Sequence, residues 1–332
     1  MDQERFQEYF RARMPEHPDL TVVGLRRIAG GMSRETWFAD VSYDGGPERD
    51  VRFTVRLDHP NGSVAPTPLV WEYKVLDGLT RTSVPAATPL WFEEDPDLIG
   101  RAPFYVRDNV PGTAAFRELF AEGADERRAS VGRHLAELLA DVHTADWEAA
   151  GFGEFMRVPQ APEDCARFEL EKYRAHWDAH RIEPQPIVAE TLSWLARNAP
   201  TSVQRVSLIW GDVGLGNFIF EGDHITALTD WEQAHLGDPM KDWAFALWRG
   251  ADSLLPREEM FRIYEQRSGL TVDLDAVAYY QPFINAMNVL TTSSLIPRIL
   301  DGSFEDVTFA RLAMGMPFQC LEDGFPAIAG SS

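Results

Sequence analysis

Residues 208–242 read LIWGDVGLGNFIFEGDHITALTDWEQAHLGDPMKD, and this stretch decides the fold of the chain. Asp212 is followed five residues later by Asn217, and a second acid, Asp230, stands after an apolar run. Two carboxylates and one amide on short loops between strands can hold a divalent cation and activate a hydroxyl group. Phosphoryl transfer from a nucleotide uses such a set, because one carboxylate takes the hydroxyl proton while the other carboxylate and the amide oxygen bind Mg²⁺.

The same stretch predicts short strands that position these side chains. Alternation predicts one strand over residues 206–210, and apolar residues predict a second over residues 218–220. Residues 221–224 have the composition of a turn, and residues 225–228 form the return strand. Such a hairpin would bring the two acids and the amide to one edge. Asp and Asn also form turns and helix caps, but all three in this order and spacing favour a metal site.

This segment resembles the catalytic core of the aminoglycoside phosphotransferase-like family, which is related to the protein kinases. The family pattern is His-Gly-Asp, four residues, Asn, then Asp-Trp-Glu, Gly-Asp-Pro and a further Asp. In this chain the pattern reads Trp210-Gly211-Asp212, Asn217, Asp230-Trp231-Glu232, Gly237-Asp238-Pro239 and Asp242. The departure is a Trp where His is commoner, and by analogy that side chain packs under the loop. The resemblance spans roughly residues 20–250.

The resemblance implies an α+β, two-lobed protein-kinase-like fold with ATP and Mg²⁺ as cofactors. A small β-rich N-terminal lobe would take residues 1–108, a hinge residues 109–112, and a larger helical lobe residues 113–332. ATP·Mg²⁺ would bind between the lobes, although GTP stays open as the donor.

Roles for the acidic motif follow from the same resemblance. Asp212 would accept or orient the hydroxyl proton, while Asn217 and Asp230 would bind Mg²⁺. Asp242 would hydrogen-bond to the backbone of the catalytic loop. Glu232 is interpreted either as a partner of the metal ligands or as a cap.

A cation and an acid in the N-terminal third fit nucleotide binding. Alternation over residues 51–57 places Arg52 and Arg56 on the face opposite the apolar residues, and residues 69–79 form a predicted helix that carries Glu72. The resemblance implies a cation on the α- and β-phosphates, steadied by this glutamate. Arg56 is the preferred cation and Arg52 the alternative, since Arg can hold phosphate bidentately. A surface Arg–Glu pair of little energetic value is the competing interpretation.

Two further segments are predicted to touch the nucleotide. Gly30 and Gly31, followed by Ser33, lie between predicted strands, and such a loop can fold over phosphates with its N–H groups. Most Gly-Gly turns only connect hairpins, so this interpretation stays open. The run FYVRDNVPG at residues 104–112 resembles an inter-lobe hinge. There the Asp108 carbonyl and the Val110 N–H are expected to bind the adenine edge.

Composition narrows the class of protein. The 332 residues carry a net charge of −21, with 52 acids against 31 bases, which argues against nucleic acid or anionic membrane as a partner. That charge would suit a cationic substrate, but an acidic surface that serves solubility alone is the favoured explanation. Cys165 and Cys320 lack a CxxC partner and are expected to be ordinary thiols. No signal peptide and no membrane span are predicted, which favours a cytoplasmic enzyme; the oligomeric state is left open.

Among the functional predictions, the molecule that accepts the phosphoryl group is the least well determined. The Trp-Gly-Asp form, the run at residues 70–79 and the block at residues 135–155 resemble the branch related to kinases of hydroxyacyl-CoA thioesters. The expected acceptor is therefore a small-molecule alcohol, and the resemblance suggests a hydroxyacyl-CoA. Aminoglycoside, macrolide and choline-like alcohols remain open, as does a nucleotide-binding regulatory module without turnover. A polyanionic CoA acceptor would need local cations, for which the helical lobe offers Arg167, Lys172, Arg174 and Arg181.

Overall fold

A computed structural model of the chain describes residues 2–28, 34–43, 51–58, 67–180, 186–302, 310–311, 313–317 and 322. Gly30, Gly31 and Ser33, the predicted phosphate loop, lie outside the described residues. The chain divides into two compact units. The first unit comprises Met1–Ser63, Thr67–Asp77 and Ala87–Val110, and the second comprises Val64–Pro66, Gly78–Ala86 and Pro111–Ser332.

The first unit is built on a five-stranded antiparallel sheet with the strand order β1-β2-β3-β5-β4. Its elements are α1 (Gln3–Arg13), β1 (Thr21–Arg27), β2 (Arg34–Ser42), β3 (Val51–Asp58), α2 (Leu69–Leu79), β4 (Pro89–Glu93) and β5 (Phe104–Asp108). The apolar face of β3 packs under α1, so that Phe53, Val55 and Leu57 join Phe6 and Phe10 in one core cluster. The opposite face of β3 carries the two arginines, as the alternation predicted.

β4 was not predicted from the sequence. It begins at Pro89, and proline lacks the N–H that a central strand must donate. The sheet order places β4 at an edge, where the missing donor is tolerated.

The second unit is largely helical. Its elements are α3 (Asp125–Thr144), α4 (Pro162–His180), α5 (Pro186–Arg197), β6 (Ser207–Ile209), β7 (Phe218–Glu221), β8 (His224–Leu228), β9 (His235–Gly237), α6 (Met240–Trp248), α7 (Arg257–Ser268), α8 (Leu274–Ser293) and α9 (Leu295–Leu300). β7 and β8 form the predicted antiparallel hairpin, while β6 pairs with β9, a strand that the sequence did not predict. A β-rich first unit and a helical second unit confirm the predicted α+β class.

Cys165 is a buried free thiol, and Cys320 lies outside the described residues. Over the part of the chain that the structure describes, no helix combines the length and the apolar character needed to cross a membrane.

Candidate active site

The loop between β6 and β7 carries the acidic motif, and a glycine lets it close on a neighbouring turn. Gly211 has φ +89°, and a Cβ at this position would lie 2.5 Å from the carbonyl oxygen of Gln233. Any other residue would be strained in backbone and blocked by that carbonyl. Gly211 therefore fixes the approach of the loop to the short turn Trp231–Gln233.

Asp242, near the start of α6, anchors this loop from below. Its Oδ2 accepts a hydrogen bond from the Trp210 N–H at 2.8 Å, and its Oδ1 accepts one from the Gly211 N–H at 2.8 Å. The carboxylate is fully buried, and His143 Nε2 lies 3.1 Å from Oδ2. His143 in turn pairs with the Tyr264 hydroxyl at 2.9 Å. This confirms that Asp242 binds the loop backbone, and it shows that His143 is a packed residue.

Trp210 occupies the position where the resemblance has a histidine. Its side chain is fully buried, and its Nε1 donates to the Thr229 carbonyl at 2.8 Å. Its ring lies 5.8 Å from that of Trp231, centroid to centroid. Trp210 therefore ties the loop to the segment that leads into Asp230, which is the packing role expected of it.

The structure brings Asp212, Asn217 and Asp230 together. Asn217 Nδ2 donates to the main-chain oxygen of Asp212 at 2.9 Å, and the Thr229 N–H donates to the Asn217 carbonyl at 2.8 Å. Asp230 has φ 62° and ψ 59°, a left-handed conformation that non-glycine residues rarely adopt. Such a conformation at a motif position is a mark of functional sites, because the fold must hold it against its own cost.

The donor set of these residues fits a small divalent cation. Asn217 uses its Nδ2 on the protein, which leaves its amide oxygen for a ligand. Among the described residues, Asp212 Oδ1 is buried without a hydrogen-bond partner. Burial raises the pKa of Asp212 and the neighbouring Asp230 carboxylate adds to this, while Arg249 opposes it. A cation between the carboxylates would relieve this repulsion.

Among the residues that the structure describes, protein side chains alone do not form a metal site. In the described ranges, no group of three or more His, Cys, Asp and Glu side chains lies in metal-binding geometry. Mg²⁺ at nucleotide sites needs no such group, since one or two carboxylates with phosphate oxygens and water complete its shell.

In the first unit, Glu72 is buried between two arginines. Arg56 Nη2 lies 3.2 Å from both of its carboxylate oxygens, and Arg34 Nη1 lies 3.3 Å from Oε2. Burial alone would raise the pKa of Glu72, but Arg56, Arg34 and Arg107 outweigh it and hold the pKa below its usual value. The pair is therefore a buried ionic group, and the competing interpretation of a surface pair is wrong.

The two candidate cations differ in surroundings. Arg52 pairs with Asp40 and stacks over Phe38, and 39% of its side chain is exposed. The Arg56 side chain is only 13% exposed and is held by Thr36 and Glu72. Only Arg56 of the two thus meets the predicted glutamate. Arg34 was missed in the sequence, because its approach to Glu72 depends on the β2–β3 register and leaves no local pattern.

The predicted hinge has a feature that the sequence did not show. Arg107 Nη1 donates to the Asp108 carbonyl at 3.1 Å, the oxygen expected to accept from adenine. A carbonyl has two lone pairs, so one acceptor position remains. The Asp108 N–H is taken by the Thr88 carbonyl at 3.0 Å. Within the described residues the Val110 N–H makes no backbone hydrogen bond, which agrees with a donor role.

A buried ionic cluster joins α4 to α6. Lys241 Nζ and Lys172 Nζ donate to Glu169 Oε2 at 3.0 Å and 2.8 Å. Tyr173, on the same helix, donates to Gln233 Oε1 at 3.2 Å, and Gln233 is the residue whose carbonyl meets Gly211. Lys172 is thus committed to Glu169 and is not a free cation for an acceptor.

A groove of about 270 Å³ lies between α4 and α5. Its apolar lining includes Leu170 and Leu192, and its charged lining includes Arg167, Arg174 and Arg197 together with Glu163 and Glu171. Arg167 pairs with Asp164 and Glu171, whereas the exposed Arg174 has no ion-pair partner among the described residues. Arg181, the remaining expected cation, lies outside them.

Curated relatives share the region that holds this site. Acyl-CoA dehydrogenase family member 11 of Gallus gallus is 29% identical over 254 residues, covering 74% of this chain and 30% of the relative. Member 10 of Mus musculus is 27% identical over 249 residues, covering 74% of this chain and 22% of the relative. This chain therefore spans less than a third of the length of either relative.

Solved structures share the fold. A candidate aminoglycoside phosphotransferase of Ralstonia eutropha JMP134 superposes with a TM-score of 0.70 at 21% identity, covering 97% of this chain and 98% of its own. Choline kinase of Streptococcus pneumoniae gives 0.64 at 15% identity, covering 97% and 99%. A thermostable aminoglycoside phosphotransferase variant in a ternary complex with ADP and hygromycin B gives 0.59 at 17% identity, covering 96% and 98%.

These likenesses show a kinase-like fold. The profile of the phosphotransferase enzyme family matches residues 24–280, which include the buried Glu72, the loop that carries Asp212 and its anchor Asp242. This chain belongs to the phosphotransferase enzyme family.

Proposed function

We propose that this chain transfers the γ-phosphoryl group of ATP to a hydroxyl group of a small molecule, with Mg²⁺. The approach of the left-handed Asp230 to Asp212 and Asn217, which lie on a loop anchored by Asp242, carries the proposal. The ADP complex of a protein with the same fold supports an adenine nucleotide as donor.

Each part of the proposed reaction is assigned to a particular side chain or substrate atom. The acceptor oxygen attacks the γ-phosphorus, the bond from that phosphorus to the β–γ bridging oxygen breaks, and its electron pair leaves with ADP. Asp212 orients the hydroxyl group and takes its proton, which then passes to water. Asn217 and Asp230 would hold Mg²⁺, which when bound neutralises phosphate oxygens. Arg56, steadied by Glu72, holds the α- and β-phosphates.

For the acceptor, we propose a hydroxyacyl-CoA thioester. The names of the curated relatives connect them with acyl-CoA, and the groove between α4 and α5 combines an apolar lining with arginines. An apolar surface suits an acyl chain and the arginines suit a polyanion. Aminoglycoside, macrolide and choline-like alcohols are the alternatives, since proteins of this fold differ in acceptor. A regulatory module without turnover is the alternative from another class.

Removal of the groove charges tests the acceptor. ADP release is measured with 3-hydroxybutyryl-CoA and with aminoglycoside and choline acceptors. In the double variant Arg167→Ala, Arg174→Ala, the KM for the CoA thioester should rise about tenfold or more, because charge-assisted hydrogen bonds are lost.

The matched control is Arg262→Ala on α7, which removes an exposed arginine that does not line the groove. It should leave that KM unchanged. The proposed acceptor would be refuted if the protein phosphorylated a cationic alcohol but not the CoA thioester, and if the KM for that alcohol fell in the double variant. Absence of ADP release with every acceptor, despite Mg²⁺-dependent nucleotide binding, would favour the regulatory module.

The Arg56 assignment gives a second test in the first unit. Arg56→Ala should raise the KM for ATP about tenfold or more, and more than the KM for the acceptor, since a bidentate charged contact to phosphate is lost. Arg56→Lys should recover part of the loss because the charge remains. Arg52→Ala is the control from the same strand and should have little effect. A clear effect of Arg52→Ala with none of Arg56→Ala would move the cation to the alternative position.

A further inference from the structure

Arg249 lies against the catalytic loop, although no motif in the sequence marks it. It is the residue that follows α6 as its C-cap. A Cβ built on Gly214 would lie 2.7 Å from Arg249 Nε and 2.8 Å from its Nη2. The guanidinium therefore fills the space that a side chain at position 214 would take, in the middle of the loop from Asp212 to Asn217.

The guanidinium of Arg249 is uncommitted. It is half-buried, and in the described part of the chain its side chain has no hydrogen-bond or ion-pair partner. Another half-buried arginine of the second unit, Arg128, is paired with Asp125 at 2.6 Å. A cation that loses hydration without gaining a partner is unfavourable, which is typical of a group reserved for a ligand.

The position of Arg249 defines the charge of that ligand. Its electrostatic influence reaches Asp212, where it opposes the effect of burial on the carboxylate. The two side chains do not form an ion pair in the described structure, so the donors of Arg249 are not consumed by Asp212. An oxyanion beside Asp212 would be attracted by this guanidinium and could accept from it bidentately.

We propose that Arg249 binds oxygens of the γ-phosphoryl group beside Asp212 and stabilises their charge during transfer to the acceptor. This inference rests on the phosphotransfer proposed above. Catalysis of this reaction is mostly positioning and charge stabilisation, which a fixed guanidinium supplies. Arg249 takes no proton and forms no covalent bond, so the balance of the transfer step is unchanged.

Nucleotide binding tests the proposal without an acceptor. The affinities for Mg²⁺·AMP-PNP, which keeps a γ-phosphoryl group, and for Mg²⁺·ADP, which lacks it, are measured by calorimetry. Arg249→Ala should weaken AMP-PNP binding about 10- to 100-fold, as expected for a hydrogen bond to a charged group, while ADP binding stays within about twofold. Arg249→Lys should fall between the wild type and the alanine variant.

Gly214→Ala moves the guanidinium without removing it. Gly214 is not in the left-handed region, so its backbone accepts alanine, but the added methyl group would lie within 3.0 Å of the guanidinium carbon and displace it. The same selective loss of AMP-PNP affinity is expected. Arg257→Ala, an exposed arginine at the start of α7, is the control and should change neither affinity.

Three results would overturn the proposal. Unchanged affinities for both nucleotides in Arg249→Ala would exclude a γ-phosphoryl contact. Equal weakening of both nucleotides would assign Arg249 a structural role. Unchanged nucleotide binding with a raised KM for 3-hydroxybutyryl-CoA would place the anion on the acceptor. Failure of the wild type to bind either nucleotide would instead refute the proposed function, and this inference with it.

Discussion

Asp212→Asn is expected to lower kcat by roughly 10²-fold or more while leaving the affinity for Mg²⁺·ATP nearly unchanged. The amide keeps the shape of the carboxyl group but cannot take the hydroxyl proton. Asn217 Nδ2 donates to the main-chain oxygen of Asp212, and the substitution leaves that acceptor in place. Steady-state kinetics with an authentic acceptor and calorimetry with the nucleotide measure the two effects.

Asp230→Ala provides the contrast to this variant. It should abolish Mg²⁺-dependent nucleotide binding, because it removes the only carboxylate assigned to the metal. Asp223→Asn is the control, on the exposed turn of the same hairpin with 73% of its side chain accessible. It should change neither kcat nor the affinity for Mg²⁺·ATP. Full turnover in Asp212→Asn would show that the carboxylate is not the base.

Asp242→Asn is expected to destabilise the fold by about 3 kcal/mol and to lower kcat as well. Two main-chain N–H groups and His143 converge on this fully buried carboxylate. An amide offers one oxygen, so its NH₂ group must meet either the Trp210 or the Gly211 donor. A buried donor is then left unsatisfied, and the loop that carries Asp212 loses an anchor.

Urea unfolding of the wild type and the variant gives the free-energy difference. Asp252→Asn, at an exposed position shortly after α6, is the matched control and should stay within about 0.5 kcal/mol of the wild type. A stable Asp242→Asn variant with normal kcat would mean that the loop is held by its other contacts.

Elements with strong local periodicity were predictable. α2 spans Leu69–Leu79 as its apolar spacing indicated, and β3 has the alternation that separates Arg56 from the core. The hairpin of β7 and β8 follows its turn residues. These patterns can be recognised because each element buries one face. Apolar residues therefore recur along the element with the period of the helix or the strand.

Elements without such periodicity were missed. β9 has three residues, and it is a strand only because β6 pairs with it. β4 opens with a proline, which argues against a strand until the sheet order shows an edge. In both cases the information lies in a partner distant along the chain.

The sequence by itself determined the family motif and hence the order of Asp212, Asn217, Asp230 and Asp242. These residues can be recognised because the reaction requires particular side chains at fixed spacings along the chain. Tertiary structure alone decided which cation meets Glu72 and that Arg34 joins it. It alone placed Arg249 over Gly214 as well. The physical reason is that an electrostatic contact depends on distance in space, and residues far apart in sequence reach that distance only when the core has packed.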